Sequence, residues 1–599
     1  MARKNKRKNK LINASDNAFN ELNSNEKEIW AKKNNLEVLR GEMELEFSSF
    51  RKTWDDLSRF IAPRRSRFFV EDVNKGDYRN GDIIDSTATM ALRTLRSGMV
   101  AGVTSPARPW FKLGLGFSFE KPSTAVQDWL AKTSKLMGAV FLRSNLYNVL
   151  PILYGDIGTF ATGCIYMEED KDSVVRFYSF PIGSYKIAND SKLNVKVFFR
   201  EFEMTVRQII EKFGKGADGK IDWTNISGTV KSMYEAKTYE KRIQIAHCIK
   251  PNDNYDPKRL ESKYKEFISV YYERGAGNAT ATSFGSNSTG NDGKFLSERG
   301  YDYFPILAPR WETTGEDVYG TNCPALVALG DIKMLQFGEK KIAQAVEKMI
   351  NPPMVGATSL KQQNASIIAG DITYVDDVQG QRGFRPAHEV NFNIAPMEAK
   401  QDQARMRIKK AFFEDLFLML ANSDRREITA REIDERHEEK LLALGPVLEQ
   451  LNQDLLDPLI DNTFHIMEMA GLIPEPPPEI AGVEIKVEYI SIMAQAQKLA
   501  DVGKLEQFTG FVGQLAALDT SALDKLNTDT LVDMFAEMTG VPVDAVRSED
   551  MVVKIRQARA EAQQQQVQME QMGNAVDAAK NLSETSTQEG NVLSELVNG

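Results

Sequence analysis

Cysteine and histidine are scarce in this 599-residue sequence. Its three cysteines, Cys164, Cys248 and Cys323, are far apart and odd in number. This pattern argues against a disulfide framework and predicts reduced, buried thiols in a cytosolic setting. The four histidines are dispersed and lack the Cys/His spacing that binds zinc. We therefore expect no metal centre.

The sequence also lacks the short motifs of common enzymes. It has no G-x-x-x-x-G-K-[ST] phosphate loop, no H-E-x-x-H helix and no G-x-S-x-G nucleophile elbow. The glycine-rich segment 214–220 lies among polar residues and is predicted to be a turn. Residues 252–259 lack the glycine and the closing glutamate of a calcium loop. We therefore predict neither enzymatic activity nor a cofactor.

No apolar run is long enough to cross a bilayer. The best one, Phe412–Ala421, is short and contains Glu414 and Asp415. Six of the first ten residues are Lys or Arg, but no apolar segment follows, so they do not predict a secretory signal. We expect a soluble protein made inside a cell, with no membrane insertion of this chain.

Positive charge is not in excess either. A net charge of -9 argues against a simple basic clamp for nucleic acid. With 42% hydrophobic and 27% charged residues, the composition is that of an ordinary globular protein. The length suggests about four domain-sized units.

The sequence pattern predicts a helical part up to residue 160, followed by a strand-rich part. Residues 26–62, 85–102 and 123–160 are predicted to be helical. From 163 to 310 the chain is predicted to be rich in strands, because β-branched and aromatic runs alternate with turn residues. The predicted strands lie in 164–168, 174–180, 194–204, 242–250 and 266–273, with a helix near 205–213 and a flexible loop at 275–293.

Two helices around a small insert follow. Pro324 favours the first turn of a helix that runs to about Ile350. Residues 354–396 contain three short predicted strands, and a second helix covers 397–421. A polar break follows, and a leucine-striped helix then runs from Thr429 to Gly471, with kinks expected at Pro446 and Pro458. Short helices are predicted over 492–548, then an exposed helix to Met572 and disorder beyond it.

The polar break is the candidate functional site. An ordinary solvated turn between helices would have the same composition. Two arginines projected from two strongly apolar helices would, however, be well placed to contact phosphate. The break contains Asn422, Ser423, Asp424, Arg425 and Arg426.

Several sequence blocks, taken in order, resemble the portal proteins, or head-to-tail connectors, of short-tailed bacteriophages. They are WDDLSRFIAPR at 54–64, the block 85–113, YGDIGTFATGCIYMEE at 154–169, the block 303–325 and ANSDRREITAREI at 421–433. The last block is the most specific. The resemblance covers roughly residues 26–560.

The resemblance implies an α+β, mainly helical portal fold. Residues 1–25 would be a disordered basic arm, 26–323 a mixed α/β wing, and 324–350 with 397–421 the paired stem helices. Residues 351–396 would form a small β-containing clip, 422–428 the tunnel loop and 429–471 a long kinked core helix. A linker and helical crown would occupy 472–560, and a Gln-rich tail, largely disordered or an extended helix, 561–599.

The resemblance also implies a function. Twelve copies would form a ring at one capsid vertex of the virion, assembled in the host bacterial cytoplasm, through which double-stranded DNA enters and leaves. Implied partners are the large terminase subunit, a tail adaptor, and the major capsid and scaffolding proteins. Candidate stem cations facing DNA are Lys333, Lys340, Lys409 and Lys410. The alternatives are a non-portal tail or scaffold component, and a packaging enzyme, which the missing ATPase motif disfavours.

Overall fold

A computed structural model describes residues 24–68, 76, 79–115, 123–216, 219–275, 295–350, 354–355, 385–386, 395–422, 444–480, 485–490, 508–515, 526–539 and 549–584. The chain forms two compact units. The first lies within residues 1–119 and 129–497, and the second within 120–128 and 498–599. The mainly helical α+β fold expected from the sequence is confirmed.

The first unit opens with long helices. Helix α1 spans Ser24–Phe60 and therefore begins inside the arm predicted to end at residue 25. One face of α1 is buried, as its apolar spacing predicts. Helix α2 (Thr87–Gly102) ends at the predicted glycine and leads to strand β1 (Phe111–Leu115). The helical segment predicted at 123–160 is two helices, α3 (Thr124–Arg143) and α4 (Leu146–Phe160), bent by 79°. The buried face of α1 carries Leu36, Met43, Phe47, Trp54 and Leu57.

The strand-rich region contains two antiparallel sheets. Strands β2 (Ile165–Asp170), β3 (Val174–Ser179) and the two-residue β9 (Ile306–Leu307) form one, in the order β3-β2-β9. The other has the order β4-β5-β6-β7-β8. All five predicted strands and the helix near 205–213 are confirmed; β4 and β8 were not predicted. The remaining elements are β4 (Tyr185–Asn189), β5 (Val195–Thr205), α5 (Val206–Phe213), α6 (Gly228–Glu235), β6 (Arg242–Pro251), β7 (Phe267–Gly275) and β8 (Phe295–Tyr301).

The five-stranded sheet has an apolar layer on each face. On one face, Phe199 and Cys248 pack with Leu36 and Met43 of α1. On the other, Ile245 belongs to a core shared with α5 and α6. All three cysteines are free and buried, as predicted. Burial raises the pKa of Cys248 and of Cys323 to about 12, so these thiols stay protonated at neutral pH.

A pair of long helices follows the sheets. Helix α7 (Pro324–Ile350) has the predicted bounds. Strands β10 (Met354–Val355) and β11 (Arg385–Pro386) pair in antiparallel fashion in the insert. The three strands predicted at 366–369, 372–375 and 389–394 lie outside the described residues.

The single helix predicted at 397–421 is wrong. Helix α8 spans Ala395–Ala411, and a turn at Phe412 and Phe413 precedes α9 (Glu414–Asn422). Phe413 has a φ of 56°, the left-handed conformation that ends helices. Because Phe412, Leu416 and Phe417 are all buried, the chain changes direction so that α9 packs against α2.

The predicted core helix is described from residue 444 onward. Helix α10 (Gly445–Leu451) has Pro446 in its first turn. A π-helical segment, Asn452–Leu456, joins α10 to α11 (Asp457–Met469), which has Pro458 in its first turn. Proline lacks the N–H that would bond the carbonyl of Asp454, so the irregularity expected at Pro458 takes the form of a π turn. Gly471, with a φ of 66°, ends the helix as predicted.

Strand β12 (Ile485–Tyr489) pairs with β1 and returns the chain to the start of the first unit. The second unit contains α12 (508–515), α13 (Thr528–Thr539) and α14 (Glu549–Glu584). These helices agree with the predicted short helices and the exposed C-terminal helix. The disorder predicted after Met572 is wrong as far as Glu584, because α14 continues to that residue.

Candidate nucleic-acid interface

One loop of the first unit, residues 84–86, contacts both helices of the hairpin of α7 and α8. The buried side chain of Gln336 on α7 accepts hydrogen bonds from the backbone N–H groups of Ile84 (2.6 Å) and Asp85 (2.9 Å). Its Nε2 donates to the carbonyl of Asp85 at 2.7 Å. One buried amide thus satisfies three backbone groups at the entrance to α2.

Arg405 on α8 reaches the same loop. Its Nε lies 2.9 Å from Oδ2 of Asp85, and it also pairs with Glu339 of α7. Burial acts most strongly and would raise the pKa of Asp85, but hydrogen bonds from Thr87 and Arg405 outweigh it, so the pKa is lowered. The carboxylate of Asp85 is therefore ionised where it caps α2 and binds Arg405.

A second ion pair joins the two helices of the hairpin. Arg407 on α8 donates to both carboxylate oxygens of Asp331 on α7, at 2.6 and 3.0 Å. This bidentate geometry orients the helices more strongly than a single contact would. With Gln336 and Arg405, it fixes which faces of α7 and α8 remain exposed.

The two lysines predicted on α7 differ in their contacts with carboxylates. Lys333 Nζ is 2.7 Å from Oδ2 of Asp56 on α1 and lies 5.7 Å from the ring centre of Phe60. Lys340 is exposed, and after the hydrogen bond from Arg59 its charge helps to lower the pKa of Asp82. A phosphate would have to compete with Asp56 for Lys333, whereas no carboxylate of the described residues lies within ion-pair distance of Lys340.

The two lysines predicted on α8 have at most a long contact with a carboxylate of the described residues. Lys409 and Lys410 are both exposed at the C-terminal end of the helix. Lys409 Nζ is 3.6 Å from Glu414, a loose pair. Among the described ranges no carboxylate is recorded within ion-pair distance of Lys410. Both lysines at the end of α8 are therefore available to a phosphate.

The predicted polar break begins at the last residue of α9. Asn422 is the last residue of that helix, and residues 423–443, which include Ser423, Asp424, Arg425 and Arg426, lie outside the described residues. What positions α9 is its contact with α2. A Cβ added to Gly98 would lie only 2.1 Å from Cδ1 of Phe417, so the phenyl ring occupies the space that a side chain would need.

The described part of the predicted core helix is anchored by a buried ion pair. Arg310, which follows β9, bonds both carboxylate oxygens of Asp454 in the π segment, from Nε at 2.8 Å and Nη2 at 3.0 Å. Gln450 adds a bond of 2.9 Å to Asp454. Both charged side chains are buried. They fix the register of α10 and α11 against the sheet region.

Sequence reasoning missed Gln336, Arg405, Gly98 and the Arg310–Asp454 pair. The only signal for Gly98 was a glycine inside a predicted helix, where it costs about 1 kcal/mol relative to alanine and calls for a packing reason. Gln336 and Arg405 look like ordinary polar residues of a helix surface. Their partners in the loop 84–86 are more than 200 residues away in the sequence, beyond the reach of a local pattern.

No group of three or more His, Cys, Asp or Glu side chains in the described ranges is arranged to hold a metal ion. Within the same ranges, no single helix is long and apolar enough to span a membrane. The bent pair Ala125–Arg143 and Leu146–Phe160 meets that length and composition only when both helices are combined.

Comparison with known proteins gives the class of this chain. The family model described as "Bacteriophage head to tail connecting protein" matches residues 33–546. The chain belongs to the family of bacteriophage head-to-tail connecting proteins. This confirms the resemblance found in the sequence blocks.

Individual relatives are more specific. The chain is 46% identical over 554 residues to the portal protein of Salmonella phage epsilon15, which covers 92% of this chain and 96% of that protein. It is 38% identical over 556 residues to the probable portal protein of Bordetella phage BPP-1, covering 93% and 96%. A chain from the virion of a native gene transfer agent particle matches with a TM-score of 0.31 and 12% identity, over 76% of this chain and 94% of that one.

Proposed function

We propose that this chain is a portal protein, of which twelve copies form a ring at one capsid vertex of the virion. Double-stranded DNA would pass through the ring during packaging and again during ejection. The observation that carries the proposal is the similarity to two portal proteins over nearly the full length of each. Residues 26–323 would then be the wing, 324–350 and 397–421 the stem, 351–396 the clip, 429–471 the core helix and 472–560 the linker and crown.

In this arrangement α8 supplies the cations that meet DNA. Its exposed face carries Lys409 and Lys410, and Asp402 interleaves with them. Each Lys–phosphate contact strengthens salt-dependent binding, so a few cations among carboxylates grip DNA loosely and allow it to slide. Lys333 contributes less because it pairs with Asp56.

The tunnel loop, 422–428, would form the constriction of the bore. Arg425 and Arg426 of each copy would contact phosphates and hinder backward slippage of packaged DNA. Helix α9, seated on α2 through Phe417, would hold this loop in place.

The remaining partners would dock at the ends of the ring. The insert 351–396 would bind the large terminase subunit during packaging and a tail adaptor afterwards. The major capsid protein and scaffolding proteins would surround the ring during assembly in the host bacterial cytoplasm.

Ring formation is the first test. Purified chain should give end-on electron-microscopy class averages with a central hole and a mass of about twelve subunits. A compact single copy without a hole would contradict the proposal.

The tunnel-loop role is tested by the double variant R425A/R426A. Rings should still form, whereas DNA retention after packaging should fall. The control K215A/K220A also removes two cations, from an exposed turn of the first unit, and should leave retention unchanged. Equal retention by both variants would rule out the constriction.

Deletion of residues 354–394 tests the docking role. Rings should form, but neither the terminase subunit nor the tail adaptor should bind them. Binding of both partners to the shortened rings would refute this assignment.

A further inference from the structure

Helix α7 is apolar on two opposite sides in its first half. One side, with Ala325, Ala328, Ile332 and Leu335, is buried in the first unit. The other side is exposed: Val327 by 64%, Met334 by 38% and Phe337 by 63%. With Gly330 these exposed residues follow a spacing of three, four and three, which places them on one line along the helix. We name Val327, Gly330, Met334 and Phe337 the α7 outer stripe.

The composition of the outer stripe does not suit a helix face in water. A helix that is apolar all round is normally covered on all sides, and an exposed apolar patch on a soluble protein usually marks an interaction site. The stripe has a polar end, because Lys341 lies one turn beyond Phe337, with its Nζ 5.5 Å from the ring centre. The apolar surface is therefore confined to the part of α7 nearest Pro324.

Gly330 points to close packing against another helix. A Cβ at this position would meet nothing within 4 Å, so no contact among the residues that the structure describes requires a glycine here. Yet glycine inside a helix costs about 1 kcal/mol relative to alanine. A gap between Val327 and Met334 lets a bulky side chain of another helix enter between them, as ridges enter grooves in helix packing.

The neighbouring helix α8 has the opposite character on its outer face. Asp402, Gln403, Lys409 and Lys410 are exposed there, and Met406 is the single large apolar residue among them. The two helices of the hairpin therefore expose unlike surfaces. The charged surface suits water and DNA, whereas the apolar surface suits protein.

We propose that the α7 outer stripe packs against the adjacent copy of this chain in the ring, which leaves the outer face of α8 to line the bore. This inference rests on the proposed function. In a closed ring each copy contacts the next through two different surfaces, so one face of a copy need not match itself. Helices α7 and α8 belong to the predicted stem, where copies surrounding a narrow bore lie closest together, and this favours a second copy as the occupant.

The direct test places the photo-crosslinking amino acid p-benzoylphenylalanine at Phe337 in the full-length chain. This change keeps an aromatic ring and leaves the fold undisturbed, because the side chain is exposed in the single copy. Irradiated rings should yield a ladder of covalent dimers, trimers and larger species. The control position is Leu260, which is 89% exposed in a loop of the sheet region and should yield monomers.

A second test measures assembly. The variant F337S removes a large apolar contact from every junction and should raise the concentration needed for half-assembly at least about tenfold. The control M406S removes a side chain of similar exposure, 61%, from α8 and should assemble normally.

The outcomes separate the two proposals. Rings of the chain with p-benzoylphenylalanine at position 337 that give no crosslink on irradiation would overturn this inference and leave the proposed function standing, as would F337S rings that assemble like wild type. A wild-type chain that forms no rings would overturn the proposed function itself, and this inference with it.

Discussion

Replacing Gly98 with alanine tests what positions α9, and through it the predicted tunnel loop. Gly98 lies inside α2, and the phenyl ring of Phe417 from α9 covers its Cα. The added Cβ would lie 2.1 Å from Cδ1, 2.2 Å from Cγ and 2.6 Å from Cβ of Phe417. Ordinary contact begins near 3.4 Å, so the ring must withdraw by at least 1.3 Å (3.4 minus 2.1).

The size of the effect follows from two opposing contributions. Overpacking a buried site costs about 1–3 kcal/mol, and this clash falls in the upper half of that range because it involves the Cβ and not a flexible tip. In the opposite direction, alanine in place of glycine inside a helix stabilises the helix by about 1 kcal/mol. We therefore expect a net destabilisation of about 1–2 kcal/mol, concentrated in α9.

Hydrogen–deuterium exchange of peptides covering 412–422 measures this local stability. Exchange there should be about 5- to 30-fold faster in G98A, while the five-stranded sheet is unaffected. Gly138 is the matched control, because it also lies inside a helix but a Cβ there meets nothing within 4 Å. In G138A exchange should slow or stay unchanged.

The variant F417A, which lacks the phenyl ring, shows whether the cost of G98A comes from the clash with Phe417. F417A alone should be strongly destabilising because it leaves a cavity, but G98A added to F417A should cost nothing further. Two results would refute this reasoning. One is slower exchange of 412–422 in G98A; the other is a destabilisation by G98A that persists in the F417A variant. Either would mean that the contact between Phe417 and Gly98 does not position α9.

Three further predictions concern the first unit. R310A should lower the free energy of unfolding of the first unit by about 3–5 kcal/mol, because Asp454 is left charged and buried. R310M/D454L should recover most of that loss, and denaturant unfolding measures both variants. Because the pKa of Asp85 is lowered on folding, its ionised carboxylate stabilises the folded chain. This stabilisation is fully present above the unfolded pKa of 3.8 and is lost as the pH falls through the folded pKa. D85N should abolish this part of the acid dependence of the free energy of unfolding. The cysteine thiols should resist iodoacetamide at pH 8 in the folded chain and react only after unfolding, because burial raises the pKa of Cys248 and Cys323; fast native labelling would contradict this.

Local patterns predicted the helices and strands well where the signals themselves are local. Helix α7 has the predicted bounds because proline suits the first turn of a helix and a pair of prolines at 352–353 prevents its extension. The five predicted strands were marked by β-branched and aromatic runs between turn residues. Strand β4 was missed because its five residues, YKIAN, are too few and too mixed to give a clear period.

Long-range contacts account for what the sequence could not predict. The apolar residues on both sides of Phe413 fit one continuous helix as well as two, and the choice is made by packing against Gly98, more than 300 residues away. The pairing of β1 with β12 joins segments that are even farther apart in the chain. The same limit applies to the candidate site, because no pattern within α7 indicates that Asp56 would hold Lys333.

The four stem lysines show why counting cations does not predict how tightly a conduit grips DNA. Lys333 can reach a phosphate only by giving up Asp56, so the exchange of one anion for another gains little. Lys409 and Lys410 carry a smaller penalty of this kind. A ring with α8 toward the bore thus offers about two effective phosphate contacts per copy where the sequence suggests four, and fewer contacts mean a shallower dependence of binding on salt. K409A/K410A should therefore flatten that dependence for DNA held in the ring, whereas K333A/K340A should barely change it; the opposite order would place α7, and not α8, against the DNA.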